Sequence, residues 1–216
     1  MEEHLSSSGW SPTPIQSASV ETLSKGNDGL LVAATGSGKT MAAVLPLLDR
    51  CLKEGWQGLS ILYITPLRAL NRDVDRRLHN VASSVGLSVG LRHGDTTQSD
   101  RQKQVRNPPT VLVTTPETFQ VMFSGHRLVS MLQNVKAVVI DEVHDLSASE
   151  RGWQLSLGLA RLERLSGTQV QKVGLSATVG NPTKVAEWIS PQCVPIVVEG
   201  YRRTEIEVQS AQSDAL

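Results

Sequence analysis

Short apolar runs recur along the chain, each followed by a longer stretch with apolar residues at helical spacing. The runs at 29–34, 60–65, 88–92, 110–114, 135–140, 172–176 and 194–198 are nearly continuous in apolar character, and several are β-branched. Such runs predict strands covered on both faces. The stretches at 39–53, 66–84, 97–106, 116–124, 148–165 and 182–188 predict helices. Their alternation predicts an α/β fold with a central parallel β-sheet and helices on both faces. Right-handed crossovers then bring the C-terminal end of every strand to one edge. A capping residue followed by proline marks helix starts at Thr65-Pro66, Thr115-Pro116 and Asn181-Pro182. Pro46 interrupts the 39–53 stretch and predicts a kink. In the 148–165 stretch, Trp153, Leu157 and Ala160, with Leu155, Leu159 and Leu162, read as one wide apolar stripe turned to the core.

Composition narrows function more than fold. Apolar residues make up 39% and charged residues 19%, which fits a packed domain rather than a disordered chain. Twenty-one Lys and Arg balance twenty-one Asp and Glu, so nucleic acid cannot be held by bulk charge and must be met at local sites. Cys51 and Cys193 are the only cysteines and form no CxxC pair, which argues against a disulfide scaffold or a zinc site. Cys51 reads as a small buried apolar residue. The acidic start lacks the apolar stretch of a secretory signal. No apolar run approaches the ~18 residues of a membrane span. The expectation is a cytoplasmic protein without a membrane partner.

Three segments carry chemistry. Ala33 to Thr40 follows an apolar run and opens a helix, the context of a phosphate-binding loop. In it Ala34, Thr35, Gly36, Ser37 and Gly38 would turn backbone N–H groups toward phosphate oxygens. Lys39 would reach the β- and γ-phosphates and Thr40 would ligate Mg²⁺. Ala33 stands where the usual first glycine would be. Further on, an apolar run ends in Asp141-Glu142-Val143-His144. Asp141 would hold the metal, and Glu142 would orient and deprotonate the attacking water. An acidic pair after a strand is ordinarily a solvated loop, but a phosphate loop upstream changes that reading. Ser176-Ala177-Thr178 is the third segment, weak alone and strengthened by its place in the order.

In that order the segments resemble superfamily 2 helicases with a DExH box, over residues 10 to about 200. The resemblance implies the first of two RecA-like motor domains, with ATP and Mg²⁺ as cofactors. It implies catalytic roles for Lys39, Asp141, Glu142 and His144, and a coupling role for Ser176 and Thr178. Residues 12–16 are similar to the Q motif, whose glutamine, here Gln16, would read the adenine edge; Trp10 precedes it. Segments containing Thr65, Pro66 and Arg68, then Gly94 and Asp95, then Thr115 and Pro116, resemble strand-contacting motifs. Their wording is similar to the large helicase-related (Lhr) group, which implies a DNA helicase linked to repair. Arg72, Arg76 and Arg77 read as a solvated helix face. Implied partners are single-stranded or partly duplex DNA, with RNA as the alternative strand, and a second RecA-like domain of the same polypeptide. Residues 201–216 would be a linker toward that domain. A small-molecule kinase would need the phosphate loop but not the other two segments. A non-unwinding remodelling or regulatory module is the alternative function.

Overall fold

The structure is a computed structural model that describes residues 11–66, 72–177 and 179–199, without the side chains of 72–75. Trp10, Arg68, Thr178 and the proposed linker from 201 lie outside the described residues. In chain order the elements are α1 (Pro14–Ser24), β1 (Gly29–Val32), α2 (Lys39–Glu54), β2 (Ile61–Ile64), α3 (Arg72–Ser84) and β3 (Val89–Arg92). They continue with α4 (Gln98–Arg106), β4 (Val111–Thr114), α5 (Pro116–Val121), a 3₁₀ turn (Met122–Ser124) and α6 (His126–Leu132). The last are β5 (Ala137–Ile140), α7 (Val143–Leu146), α8 (Glu150–Ser166), β6 (Gln171–Ser176), α9 (Pro182–Ile189) and β7 (Val194–Val197).

The seven strands pair in the order β3-β4-β2-β5-β6-β1-β7, and every pairing is parallel. Successive residues of a strand point to opposite faces, so one sheet feeds two cores. Leu30, Val32, Leu62, Ile64, Val138 and Ile140 pack with Phe119, Leu155, Leu159 and Ile189. Leu31, Ile61, Tyr63, Val139, Val173 and Leu175 pack on the other face with Leu47, Leu48, Cys51 and Leu78. At about 1.5–3 kcal/mol for each large apolar side chain, this two-sided burial dominates the stability of the fold.

All seven predicted strands form, with shifts only at their ends. The run ending at 198 is a correction in kind: β7 lies at the sheet edge, and Val194 and Val197 are 44% and 48% exposed. Three helices went unread. The start of α1 carries the same Thr-Pro signal seen elsewhere, but its body has only a weak apolar face. The others, α6 and α7, are too short to show a period. Pro46 does not interrupt α2, which runs through it from Lys39 to Glu54. The caps at Thr115 and Asn181 form as predicted, accepting from the backbone N–H of Thr118 and Lys184.

The apolar stripe on α8 divides. Leu155, Leu159 and Leu162 are buried, but Trp153 and Leu157 are 74% and 64% exposed and Ala160 is exposed. The true packing face includes Gly152 and Gly158, which a count of apolar side chains leaves out. That centres the face about half a turn away from Trp153 and Leu157. Gly152 sits where α8 meets the end of α7, and a Cβ there would come 1.9 Å from the Leu146 carbonyl oxygen.

Gly152→Ala therefore tests this contact. Helix propensity alone would stabilise the variant by about 1 kcal/mol. A backbone clash that forces α8 to shift costs about 1–3 kcal/mol and decides the sign. Urea denaturation should show a destabilised variant; one as stable as the parent would contradict the packing.

Candidate functional site

Parallel pairing places the functional segments at one sheet edge. In register, Val32 lies opposite Ser176, Ile64 opposite both Thr114 and Ile140, and Ile140 opposite Gly174. The loops leaving β1, β2, β4, β5 and β6 therefore start at nearly the same level. Beyond β1 the chain curls through Gly36 and Gly38, with φ of +80° and +92°. Left-handed backbone favours glycine at both positions. Gly38 has a second reason, since a Cβ there would lie 2.8 Å from Gln16 Nε2. Lys39 opens α2, and its ammonium donates to the carbonyl oxygens of Ala33 and Ala34 at 2.7 and 3.0 Å. Burial lowers the Lys39 pKa, and the nearby carboxylates of Glu142 and Asp141 work against that shift. Ser37 Oγ is buried without a hydrogen-bond partner inside the same loop.

Beyond β5 lies the acidic pair. Asp141 Oδ2 accepts a 2.7 Å hydrogen bond from the Tyr63 hydroxyl, with Thr65 Oγ1 at 3.5 Å from the same oxygen. Its Oδ1 accepts from the backbone N–H of Glu142 at 3.0 Å. Burial raises the Asp141 pKa, against the lowering effect of Tyr63 and the Glu142 amide. Burial, followed by repulsion from Asp141, raises the Glu142 pKa as well. Glu142 has φ of +51°, the one positive value outside glycine among the described residues. That backbone turns the chain from β5 into α7 and sets the Glu142 carboxylate into the cleft. His144 Nδ1 lies 3.4 Å from Glu142 Oε2 and 3.3 Å from Ser176 Oγ, so it joins the acidic segment to the end of β6.

Lys39, Asp141, Glu142 and His144 line a cleft of about 1240 Å³ together with Thr35, Thr40, Ala177, Pro66, Gly94 and Thr115. The expected strand contacts are only partly placed to serve. Thr65 is fully buried and its hydroxyl turns inward to Asp141, so it is not open to a strand phosphate. Thr115 is 4% exposed, and its hydroxyl is engaged at the N-cap of α5 with Thr118. Pro116 is buried. Asp95 is exposed beside His93. Gln16 is 6% exposed, and both ends of its amide are engaged: Oε1 accepts from Thr13 N at 2.9 Å, and Nε2 donates to Gly38 O at 3.4 Å. It touches the phosphate loop directly, and reading an adenine would require it to exchange these partners.

Sequence reasoning assigned no site role to Tyr63, buried beside Asp141, or to three residues that line the cleft. Tyr63 looks like any apolar strand position. Arg77, read as part of a solvated face, lines the cleft, as do Arg151 and Glu117. Arg151 donates to Glu117 at 2.6 and 2.7 Å, and both are about half exposed, so this pair adds little stability. Among the described residues no three metal-ligating side chains cluster. Mg²⁺ keeps several waters and takes one or two carboxylates together with substrate phosphates. Thr40 and Asp141 offer the hard oxygen donors.

Comparison with known proteins agrees with this geometry. Residues 13–185 match the DEAD/DEAH box helicase family. The chain is 42% identical over 202 residues to a Lhr helicase/probable uracil glycosylase of Mycolicibacterium smegmatis, covering 87% of this chain and 13% of that protein. It is 33% identical over 222 residues to the ATP-dependent helicase Lhr-Core of Methanocaldococcus jannaschii, covering 94% of this chain and 26% of that protein. In three dimensions it is similar to Mycobacterium smegmatis helicase Lhr bound to ssDNA and AMP-PNP, with a TM-score of 0.79 and 39% identity. That match covers 91% of this chain and 27% of the other. The chain thus spans from about an eighth to about a quarter of the length of these relatives.

The left-handed turn at Glu142 gives a prediction independent of chemistry. Relief of left-handed strain favours glycine by about 1–2 kcal/mol, and the added freedom of the unfolded chain takes back about 0.4–1 kcal/mol. Glu142→Gly should therefore be more stable than Glu142→Ala by roughly 1 kcal/mol, the balance of those two effects. Urea unfolding of both variants checks it, and the reverse order would contradict the turn.

Proposed function

The chain belongs to the DEAD/DEAH box helicase family, and on that premise we propose that it is the first RecA-like motor domain of an ATP-driven DNA translocase or helicase of the Lhr type. The observation that supports this best is the meeting of Lys39, Thr40, Asp141 and Glu142 in one cleft that continues to Gly94, Thr115, Arg77 and Arg151. Part of the cleft has the groups for phosphoryl transfer, and the rest has room for a strand, with the exposed Arg77 in its lining. A small-molecule kinase would have no use for the second half.

In this reading the N–H groups of the loop and of the first turn of α2 meet the phosphates. Lys39 exchanges the Ala33 and Ala34 carbonyls for phosphate oxygens, which carry the full negative charge that those neutral carbonyls lack. Thr40 and Asp141 hold Mg²⁺, whose charge would offset that of the phosphates. Glu142 accepts the proton of the attacking water, a role that its raised pKa suits. His144 and Ser176 pass changes at the acidic pair to the end of β6. Arg77 supplies local positive charge in the cleft, whereas that of Arg151 is balanced by its ion pair with Glu117. The strand is single-stranded DNA, supported by the ssDNA-bound relative. A second RecA-like domain would complete the motor and supply an arginine finger, a group worth about 10³–10⁵ in rate elsewhere.

Calorimetric titration with a non-hydrolysable ATP analogue tests the nucleotide half. Lys39→Ala should bind at least about tenfold more weakly, the loss of one charged hydrogen-bond donor. Glu142→Gln should bind like the parent and turn over no ATP. Undiminished affinity in Lys39→Ala would end this assignment.

The strand half is tested by the salt dependence of single-stranded DNA binding. Arg77→Ala should weaken binding for all sequences alike and lower the salt slope by roughly one. Arg151→Ala should have a smaller effect, because Glu117 already balances its charge. A sequence-dependent loss, or none, would rule out backbone contacts by these residues.

A further inference from the structure

Tyr63 is fully buried, two residues before the open edge of the sheet, on the face packed by α2. Its neighbours in that core are overwhelmingly aliphatic, so phenylalanine would fill the space as well. A hydroxyl there is costly unless it is bonded. It has one strong bond, the 2.7 Å donation to Asp141 Oδ2, a length typical of a hydroxyl on a charged acceptor. The Glu142 amide holds the other carboxylate oxygen. Tyr63 on one oxygen, with Thr65 more distant at 3.5 Å, and the Glu142 amide on the other fix the rotation of the Asp141 carboxylate. Thr40 lines the same cleft as Asp141. Tyr63 thus supports, from within the core, one of the two side chains assigned to the metal.

We propose that Tyr63 is a positioning residue: its hydroxyl holds the Asp141 carboxylate in the orientation in which it and Thr40 together receive Mg²⁺ with ATP. The inference rests on the roles of Thr40 and Asp141 proposed above. Groups that orient a metal-binding side chain typically change metal affinity 10–100-fold when removed. The hydroxyl adds nothing to the contacts of the nucleotide itself, so its effect should be confined to the metal.

The test is titration of the full chain with a fluorescent non-hydrolysable ATP analogue, in EDTA and at graded free Mg²⁺. Parent, Tyr63→Phe, Asp141→Asn and the double variant are compared, with melting temperature recorded for each. In EDTA, Tyr63→Phe should bind the analogue within about twofold of the parent. The free Mg²⁺ needed for half of the affinity gain should rise about tenfold. In the Asp141→Asn background, Tyr63→Phe should add nothing further. An unchanged Mg²⁺ requirement in Tyr63→Phe would overturn the inference and leave the nucleotide site intact. Equal losses with and without Mg²⁺, accompanied by a lower melting temperature or loss of folding, would make the hydroxyl a packing element and overturn it too. A parent that binds no analogue, or gains nothing from Mg²⁺, would instead overturn the proposed function, and the inference with it.

Discussion

Every strand of this sheet runs in the same direction, and the functional geometry follows from that. Parallel pairing in register sets Val32, Ile64 and Ile140 near one level, so the phosphate loop, Thr65 and Asp141 emerge side by side. Residues separated by more than a hundred positions, such as Lys39 and Asp141, become neighbours without any long loop to carry them. The cost is that both sheet faces must be covered. The helices meet it, with α2 on one face and α8 on the other, through the two apolar cores.

The site built on this edge is kept in a costly state. Burial works against the charge of Lys39, Asp141 and Glu142 alike. Glu142 is also held in left-handed backbone. Each group has a substitute partner in the nucleotide-free chain: Lys39 rests on two loop carbonyls, Asp141 on Tyr63 and the Glu142 amide, and Glu142 beside His144. Under the proposed function, such partners hold the groups near where they would act, and the carbonyls that Lys39 meets would be exchanged for phosphate oxygens. Preorganisation of this kind lets electrostatics act with little rearrangement when charge develops.

Much of the fold was legible because the rules behind it are local or periodic. Continuous apolar runs gave the seven strands, and Pro-preceding caps gave the starts of α5 and α9. Where side-chain counting was the only guide, it misled. Trp153 and Leu157 belong by composition to the core, yet α8 turns them outward because glycines let its backbone approach α5 and α7 on another side. Edge position, which decides the exposure of β7, is a property of strand order and not of any one strand.

The chemical segments were readable by themselves: a Gly-rich turn before Lys39 and Thr40, an acidic pair after an apolar run, and Ser176 after another. Their residue types point to phosphate, a hard metal ion and proton transfer, the chemistry of the proposed function, since few other uses need those groups at that spacing. Which hydroxyls face solvent and which face a carboxylate was a tertiary matter. Thr65 and Thr115 carry the same group in similar local sequences, yet one turns toward Asp141 and the other caps a helix. Tyr63 reads as core until β2 lies beside β5, when its hydroxyl meets Asp141 across 78 residues of sequence. Local sequence sets what a side chain can do; which partner it finds depends on strand order, because contacts between distant residues exist only after the sheet has formed.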